Sequence, residues 1–513
     1  MISLIVVLGL AAWMRFDDMG RFSFWTDELY HVVAAQSMIE GGEPMIPARG
    51  MYWRSFLVTG MTVVSFSIFG ESEWSARFPF ALVSMVFLVV VYRVLATRFS
   101  RLLALLTVLF LGLTPQFLQA GRECRMYAPF VLFYFLGVIM AYRVMEAPVA
   151  DLKRRPLVSL LYIGMTLLFF VLAMSLQYLA VNFGFTLLLY CLLMAGYLVV
   201  HLGWIKATRS RYLALTALSC LTAITTALFL QDFVATLISL AREPMAWDTR
   251  GHPAPFCLWF FNYYFPALWY VYPIGAVILI HRYGRLGLYM VCAFLPVLFA
   301  HMYLFTSRIA ERYLLYILPF FFLTSACVIE ALLWGVMAWV RELRSRGTQA
   351  LAAVAAICVL PASWLFLQPW LNSSLELRRY GLGPDWKLIA PDLRAACETG
   401  IVITNWPREV MFYGGRFPDY FATQTYEYYG KEDHVVALGE REVEVNYLTD
   451  TTSLREALGS GTDVFFVTTD WAYRNNSFMN EEMREVIRRN MIELASIEGG
   501  EDRVVIFRTI RAQ

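Results

Sequence analysis

Four short stretches carry residue types able to do group-transfer chemistry. The first is Phe24-Trp25-Thr26-Asp27-Glu28-Leu29-Tyr30-His31, two adjacent carboxylates flanked by aromatic side chains. Such a pair is costly to desolvate unless it is paired or solvated. It reads as a general base, whose proton affinity is raised by burial and the neighbouring carboxylate and lowered by a nearby arginine. It reads equally as a helix cap, with Thr26 or Asp27 accepting from the first N–H groups of a helix from Glu28 to Ile39. The second stretch is Trp74-Ser75-Ala76-Arg77-Phe78-Pro79. The Arg77 fork suits a carboxylate or a phosphate, or Arg77 is a snorkelling interface residue; Pro79 suits the first turn of a helix. The third, Gly121-Arg122-Glu123-Cys124-Arg125-Met126-Tyr127, packs three charges into four residues. It is a solvated turn or part of the same cluster. The fourth is Ser307-Arg308-Ile309-Ala310-Glu311-Arg312-Tyr313. Arg308 and Arg312 are four apart and would share a helical face, suited to a departing lipid phosphate or to headgroup anchoring. His31, His252 and His301 stand alone and read as hydrogen-bonded interface residues. No His, Cys, Asp or Glu set has metal-ligand spacing.

The elements that must hold these residues are membrane helices. AVILMFWYC residues make up 59% of the 513-residue chain and charged residues 16%, against about 25% charged in a soluble domain. A soluble, disordered or fibrous protein is excluded. A net charge of +2 gives no reason to expect a nucleic-acid partner. The charge is unevenly spread. Residues 1–375 hold 26 basic and 17 acidic residues, whereas residues 376–513 hold 16 and 23. The front is membrane in composition, and the tail is soluble with a charge of −7. The boundary falls near Asn372–Tyr380, giving a membrane domain over 1–371 and a soluble domain over 372–513. Eight cysteines, mostly in apolar runs, show no CxxC and no disulfide framework.

Apolar runs long enough to span about 30 Å of hydrocarbon lie near 79–97, 102–120, 127–145, 157–175, 178–200, 212–230, 258–280, 286–305, 313–340 and 350–369. With the short run Met1–Met14 they make about 11 spans. The Ser55–Phe69 run is too short to cross comfortably and reads as an interfacial helix. One side then collects 15 basic and 3 acidic loop residues, which the positive-inside rule makes cytoplasmic. Residues 15–78 become a large external loop, the tail lies outside, and all four stretches face outward. There is no P-loop, no strand-linked GxGxxG and no run of mid-span charges fit for an ion path.

In this order the motifs resemble the GT-C membrane glycosyltransferases. The likeness is to the family 39 relatives, which include protein O-mannosyltransferases and lipid A aminoarabinose transferases. It rests on the Asp27-Glu28 pair, Phe69-Gly70-Glu71-Ser72-Glu73 followed by Ala76-Arg77-Phe78-Pro79, the Arg122–Tyr127 stretch, and Glu311-Arg312-Tyr313 with Pro319. It covers about residues 1–340. The resemblance implies an inverting transferase that takes a sugar from a polyprenyl-phosphate donor in the membrane and passes it to a glycan, lipid or protein acceptor. Asp27 matches the base, Glu28 its partner that helps order the loop, and Arg77 the arginine supporting that loop. Arg312, with Arg308, is the candidate for the lipid phosphate. Arg122, Glu123, Arg125, Tyr127 and Tyr313 belong to the same substrate-binding set. Many relatives carry a proline-containing stretch before the interfacial helix. Here it reads Gly50-Met51-Tyr52-Trp53-Arg54-Ser55, so Tyr52 and Arg54 join the set on weaker grounds. No metal is required; a divalent ion, if present, would sit at the external carboxylates. A bacterial inner membrane is the implied location.

The tail reads as a small α/β domain. Strands are expected at Gly400–Thr404, His434–Leu438, Asp463–Thr468 and Arg503–Thr509. Helices are expected at Trp386–Cys397, Ser453–Leu458 and Asn480–Ser496. Asn405-Trp406-Pro407 and the series Tyr413, Tyr420, Tyr426, Tyr428 and Tyr429 would contact an acceptor glycan or pack the domain. Two further functions compete with the transferase. A transporter or lipid flippase would show repeats and broken mid-membrane helices, and no internal repeat is present. A non-catalytic scaffold presenting the tail would not need the Asp27-Glu28 pair.

Overall fold

The computed structural model describes residues 2–46, 50–146, 156–202, 212, 253–304, 310–345, 384–422, 435–438, 441–444, 446–448, 450–476, 478–499 and 502–510. The chain sorts into two compact units. One comprises residues 1–13, 83–120 and 127–374, the other 14–82, 121–126 and 375–513.

Among the described residues, six helical segments are long and apolar enough to cross a bilayer. They are Glu73–Arg98, Tyr127–Glu146, Pro156–Leu176, Tyr178–His201, Pro266–Tyr303 and Glu311–Ala338. The chain is a multi-pass helical membrane protein with a small C-terminal sheet domain. The expected spans at 212–230 and 350–369 lie outside the described residues, and the first apolar run is a 15-residue helix, Ile2–Phe16. The expected 102–120 span is not one straight helix. Arg101–Leu113 and Pro115–Arg122 meet at 65°. Thr114 between them is extended (φ −66°, ψ 125°), as a residue preceding proline prefers. The 258–305 region divides at Phe265, again before a proline, and at Gly284 (φ 55°, ψ −125°). A Cβ on Gly287 would lie 2.2 Å from the Leu279 carbonyl oxygen, so the chain folds back on itself there and only glycine fits. Gly275 serves the same purpose between helices Pro266–Cys292 and Leu318–Ser345, where a Cβ would meet the Thr324 carbonyl oxygen at 2.1 Å.

The second unit combines the first loop with the tail. The loop holds helix Thr26–Gly41, strands β1 (Met45–Ile46) and β2 (Gly50–Met51), and helix Phe56–Phe69. The tail contributes β3 (Ile401–Thr404), β4 (Tyr420–Ala422), β5 (Val435–Leu438), β6 (Arg441–Glu444), β7 (Asn446–Leu448), β8 (Val464–Thr469), β9 (Met491–Gly499) and β10 (Asp502–Thr509). Six of them form one sheet in the order β7-β4-β3-β8-β10-β9. β7, β4, β3 and β8 run parallel, and β10 and β9 add antiparallel. Every residue of β8 is buried, as expected of a strand covered on both faces. Leu454, Phe466, Met483 and Ile487 lie in the tail core. The expected helix Asn480–Ser496 is corrected: it ends at Asn490, and Met491 opens β9. Pairing with β10 along eight residues outweighs the helix-forming composition.

Candidate active site

The site is built on the first turn of helix Thr26–Gly41. Neither Thr26 nor Asp27 caps it, contrary to the capping expectation. The N-cap is Trp25, and Glu28, three residues on, reaches back so that Oε2 accepts from the Trp25 amide at 2.9 Å. Glu28 does more than this. Oε1 accepts from the Cys124 amide at 2.8 Å and from Arg77 Nε at 2.9 Å, and Oε2 accepts from Arg77 Nη2 at 2.7 Å. With four donors on two oxygens and 1% exposure, Glu28 is a structural joint.

Arg77 is spent the same way. Beyond Glu28 it donates to the carbonyls of Met19 (3.1 Å), Phe22 (2.9 Å) and Ser23 (2.8 Å). All five guanidinium N–H groups are engaged, so Arg77 holds the 19–28 segment and leaves no donor for a phosphate. Its helix begins at Glu73, so Pro79 lies inside it rather than in its first turn. The proline leaves the Ser75 carbonyl without its helical donor, and the Ser65 hydroxyl donates to it at 2.5 Å.

Arg122 donates to the carbonyls of Met14 (2.8 Å), Asp17 (2.9 Å) and Asp18 (3.2 Å). It thereby closes the C-terminal end of helix Ile2–Phe16, where carbonyls lack partners and a cation is favoured. Asp18 is held at φ 53°, a conformation few side chains adopt. Arg125 is different: its Nη1 pairs with Asp27 Oδ2. Asp27 is 31% exposed, so of the two adjacent carboxylates it is the one that solvent or a substrate reaches. The Arg125 amide donates to the Glu123 carbonyl at 2.8 Å, which keeps the turn tight.

Around Asp27 stand aromatic and basic groups. Tyr30 and Tyr52 stack at 5.6 Å, and His31 meets Tyr52 edge-on at 5.2 Å. The His31 ring lies 3.2 Å from the Thr59 hydroxyl. Burial, with Arg125 and Arg54 adding to it, pushes the His31 pKa down to about 3, so the ring is neutral. Burial raises the Tyr52 phenol pKa, against the pull of Arg54 and Arg125.

The tail reaches the same place, which sequence reading missed. Arg408, on helix Pro407–Gly414, lies 3.9 Å above the Tyr30 ring. Glu409 beside it is fully buried, and neither of its oxygens has a hydrogen-bond partner of ordinary geometry among the described residues. Its pKa is raised by burial; Arg408 and the Thr26 hydroxyl pull it down, and Asp27 adds to the rise. The Phe24 amide donates to the Tyr413 hydroxyl at 2.7 Å, and Lys387 Nζ donates to Glu73 at 3.0 Å and to the Gly20 carbonyl at 3.1 Å. The one signal in the sequence was the basic-acidic pair directly after Asn405-Trp406-Pro407.

The other expected residues lie in the first unit. Tyr127 is buried at the start of helix Tyr127–Glu146. Tyr313 is buried within a 3-10 turn, Glu311–Tyr313, and Arg312 lies 5.6 Å from the Tyr313 ring. Glu311 accepts from Tyr264 at 2.7 Å and Gln116 at 3.3 Å. Arg308 lies outside the described residues. The helical face expected to join Arg308 and Arg312 therefore lies partly outside the described residues; Ala310, before Arg312, is extended (φ −149°, ψ 144°). Among the described residues no three His, Cys, Asp or Glu side chains converge as metal ligands.

This architecture has relatives. The model of the dolichyl-phosphate-mannose-protein mannosyltransferase family matches residues 55–230. The crystal structure of ArnT from Cupriavidus metallidurans in the apo state superposes at TM-score 0.62 with 13% identity, covering 99% of this chain and 97% of that one. The same protein bound to undecaprenyl phosphate gives TM-score 0.58 at 15% identity, over 99% and 98%. The archaeal oligosaccharyltransferase AglB from Archaeoglobus fulgidus, in complex with an inhibitory peptide and a dolichol-phosphate, gives 0.59 at 12% identity, over 81% of this chain and 64% of that one. A search of curated proteins finds no match. The chain has the fold of the GT-C membrane glycosyltransferases, as its motif order implied.

Proposed function

We propose that this protein is an inverting glycosyltransferase that moves a sugar from a polyprenyl-phosphate donor to an acceptor hydroxyl or amine. The observation that carries the reading is the division of labour between adjacent carboxylates. Glu28 is buried and saturated by four donors, whereas Asp27 is partly exposed and oriented by Arg125. In the reaction the acceptor oxygen or nitrogen attacks the anomeric carbon, and the bond to the phosphate oxygen breaks with its electron pair. Asp27 takes the acceptor's proton, and polyprenyl phosphate departs. A base opposite the leaving group gives inversion, by analogy with inverting glycosidases. Arg312, with Arg308, holds the developing phosphate charge; no metal is required. The undecaprenyl phosphate bound to ArnT and the dolichol-phosphate bound to AglB support a lipid-linked donor. The site and the tail face outward across a bacterial inner membrane, with the membrane domain over 1–371 and the soluble domain over 372–513. A flippase reading has no specific observation in its favour.

The test is lipid phosphate release from a panel of polyprenyl-phosphate sugars offered with crude cell-envelope acceptor. Wild type should release it from one donor. Asp27→Asn should lose at least about 100-fold in rate, the usual worth of a general base, while its melting temperature stays near wild type. Equal release by both proteins would remove Asp27 as the base.

A further inference from the structure

The tail carries a feature that the transfer chemistry does not use. Along its sheet the chain runs from β3 outward to β4 and β7 on one side, and returns to β8 on the other. The order therefore reverses between β3 and β8. In parallel α/β sheets ligands bind outside the carboxyl ends of the strands at such a reversal. Here those ends read Thr404-Asn405-Trp406 and Thr468-Thr469-Asp470-Trp471. The short polar side chains between the strand ends are satisfied among themselves: the Thr468 hydroxyl donates to Asn405 Oδ1 at 2.8 Å, and Asn405 Nδ2 donates to the Ala422 carbonyl at 2.7 Å. They make a rigid floor.

On this floor stand three aromatic rings. Trp406 and Trp471 are 6.1 Å apart, Trp406 and Phe478 6.1 Å, and Trp471 and Phe478 5.3 Å. Trp471 is 49% exposed and tilted by 41° to Trp406 and 63° to Phe478, so its indole is the accessible ring of the cluster. The Trp406 indole N–H is buried and has no hydrogen-bond partner among the described residues, which is rare for a buried donor. An exposed indole and an unmet donor on the neighbouring ring fit a pyranose ring, with its axial C–H face and its rim of hydroxyls. Trp406 is also followed directly by Pro407 and Arg408, and Arg408 covers Tyr30 of the site.

We infer that the carboxyl edge of the tail sheet, formed by Trp406, Trp471 and Phe478, is a saccharide-binding subsite that holds a glycan acceptor for transfer at Asp27. The inference rests on the transferase reading for the word acceptor, but saccharide binding stands apart from it. The tail is then the acceptor-selecting part of the protein, and the acceptor is a glycan rather than a bare peptide.

The experiment uses the full chain in lipid nanodiscs. The probes are protease-treated oligosaccharides released by mild acid from the source organism's cell envelope, with a glycan-free peptide digest as comparator. Binding is read by saturation-transfer NMR, and transfer by the acceptor KM. Wild type should bind the oligosaccharides. Trp471→Ala should weaken binding and raise the acceptor KM at least about 10-fold with kcat kept. Trp406→Phe, which keeps a ring and removes the N–H, should weaken both about 3-fold. Trp471→Phe should recover most of the loss, and Asp27→Asn should bind as wild type does. Binding with this pattern but no transfer from any donor would keep the subsite and sink the transferase. Transfer with an unchanged acceptor KM in both tryptophan variants would sink the subsite and keep the transferase. Absence of oligosaccharide binding, or binding of the peptide digest alone, would overturn the inference.

Discussion

Two arginine–glutamate systems in the second unit look alike in sequence and differ in the structure. In the first loop, Arg77 and Glu28 are 7% and 1% exposed, and their remaining valences go to backbone carbonyls and amides of two separate stretches, residues 19–25 and Cys124. On helix Glu481–Asn490, Arg488 and Arg489 pair with Glu481 and Glu485, with every partner at least 46% exposed. The first system defines the shape of a segment that has little regular structure of its own. The second decorates a helix that an Asn480 cap and an apolar face already specify. Charge in a sequence therefore says little until burial is known: a desolvated pair ties down whatever donates to it, while an exposed pair is screened and nearly neutral.

The contrast can be broken in three places. Arg77→Leu should have the largest effect, about 3–5 kcal/mol of stability lost, because Glu28 would be left buried without its main partner. Thermal unfolding in detergent should show it together with loss of transfer, and Arg77→Lys should recover only a small part, since an ammonium cannot reproduce the fork. A medium effect is expected at Glu409. Its folded pKa is raised, so the folded state holds a proton that the unfolded state releases, and stability is lost as pH rises from about 4.5 through the raised value. Glu409→Gln should match wild type near pH 4 and exceed it by about 1–3 kcal/mol at pH 8; melting curves at the two pH values, parallel for both proteins, would contradict this. The smallest effect is expected for Arg488→Ala, whose melting temperature should match wild type in the same melts, since exposed pairs are screened. A larger loss would mean that the surface ladder holds the helix after all.

Much of the site was legible because its parts announce themselves. Asp27-Glu28, Arg77 and the Arg122–Arg125 turn are charges placed among apolar residues, which a membrane protein keeps only where they have partners or a task. The structure gathers all of them in the second unit. Four tail strands were readable from β-branched runs between turn residues. The roles were harder to read. Nothing local says that Glu28 would be saturated while Asp27 stays accessible, since that depends on donors 49 and 96 positions away. Arg408 and Glu409 were missed because helix Pro407–Gly414 has only eight residues, too short for its periodicity to stand out. β9 was hidden for a different reason: its sequence extends the preceding helix, and only local pairing with β10 makes it a strand.

The joint between loop and tail also has a consequence in time. Phe24 is held by Tyr413, a residue synthesised 389 positions later, and Ser23 by Pro384, 361 positions later. At about 5–20 residues per second, the segment leading into the helix that bears Asp27 spends roughly 20–80 s of every synthesis without these two tail partners. The loop around Asp27 is thus among the last parts of the molecule to gain all its contacts. A nascent or truncated chain therefore carries Asp27 on a segment whose contacts to Pro384 and Tyr413 have still to form.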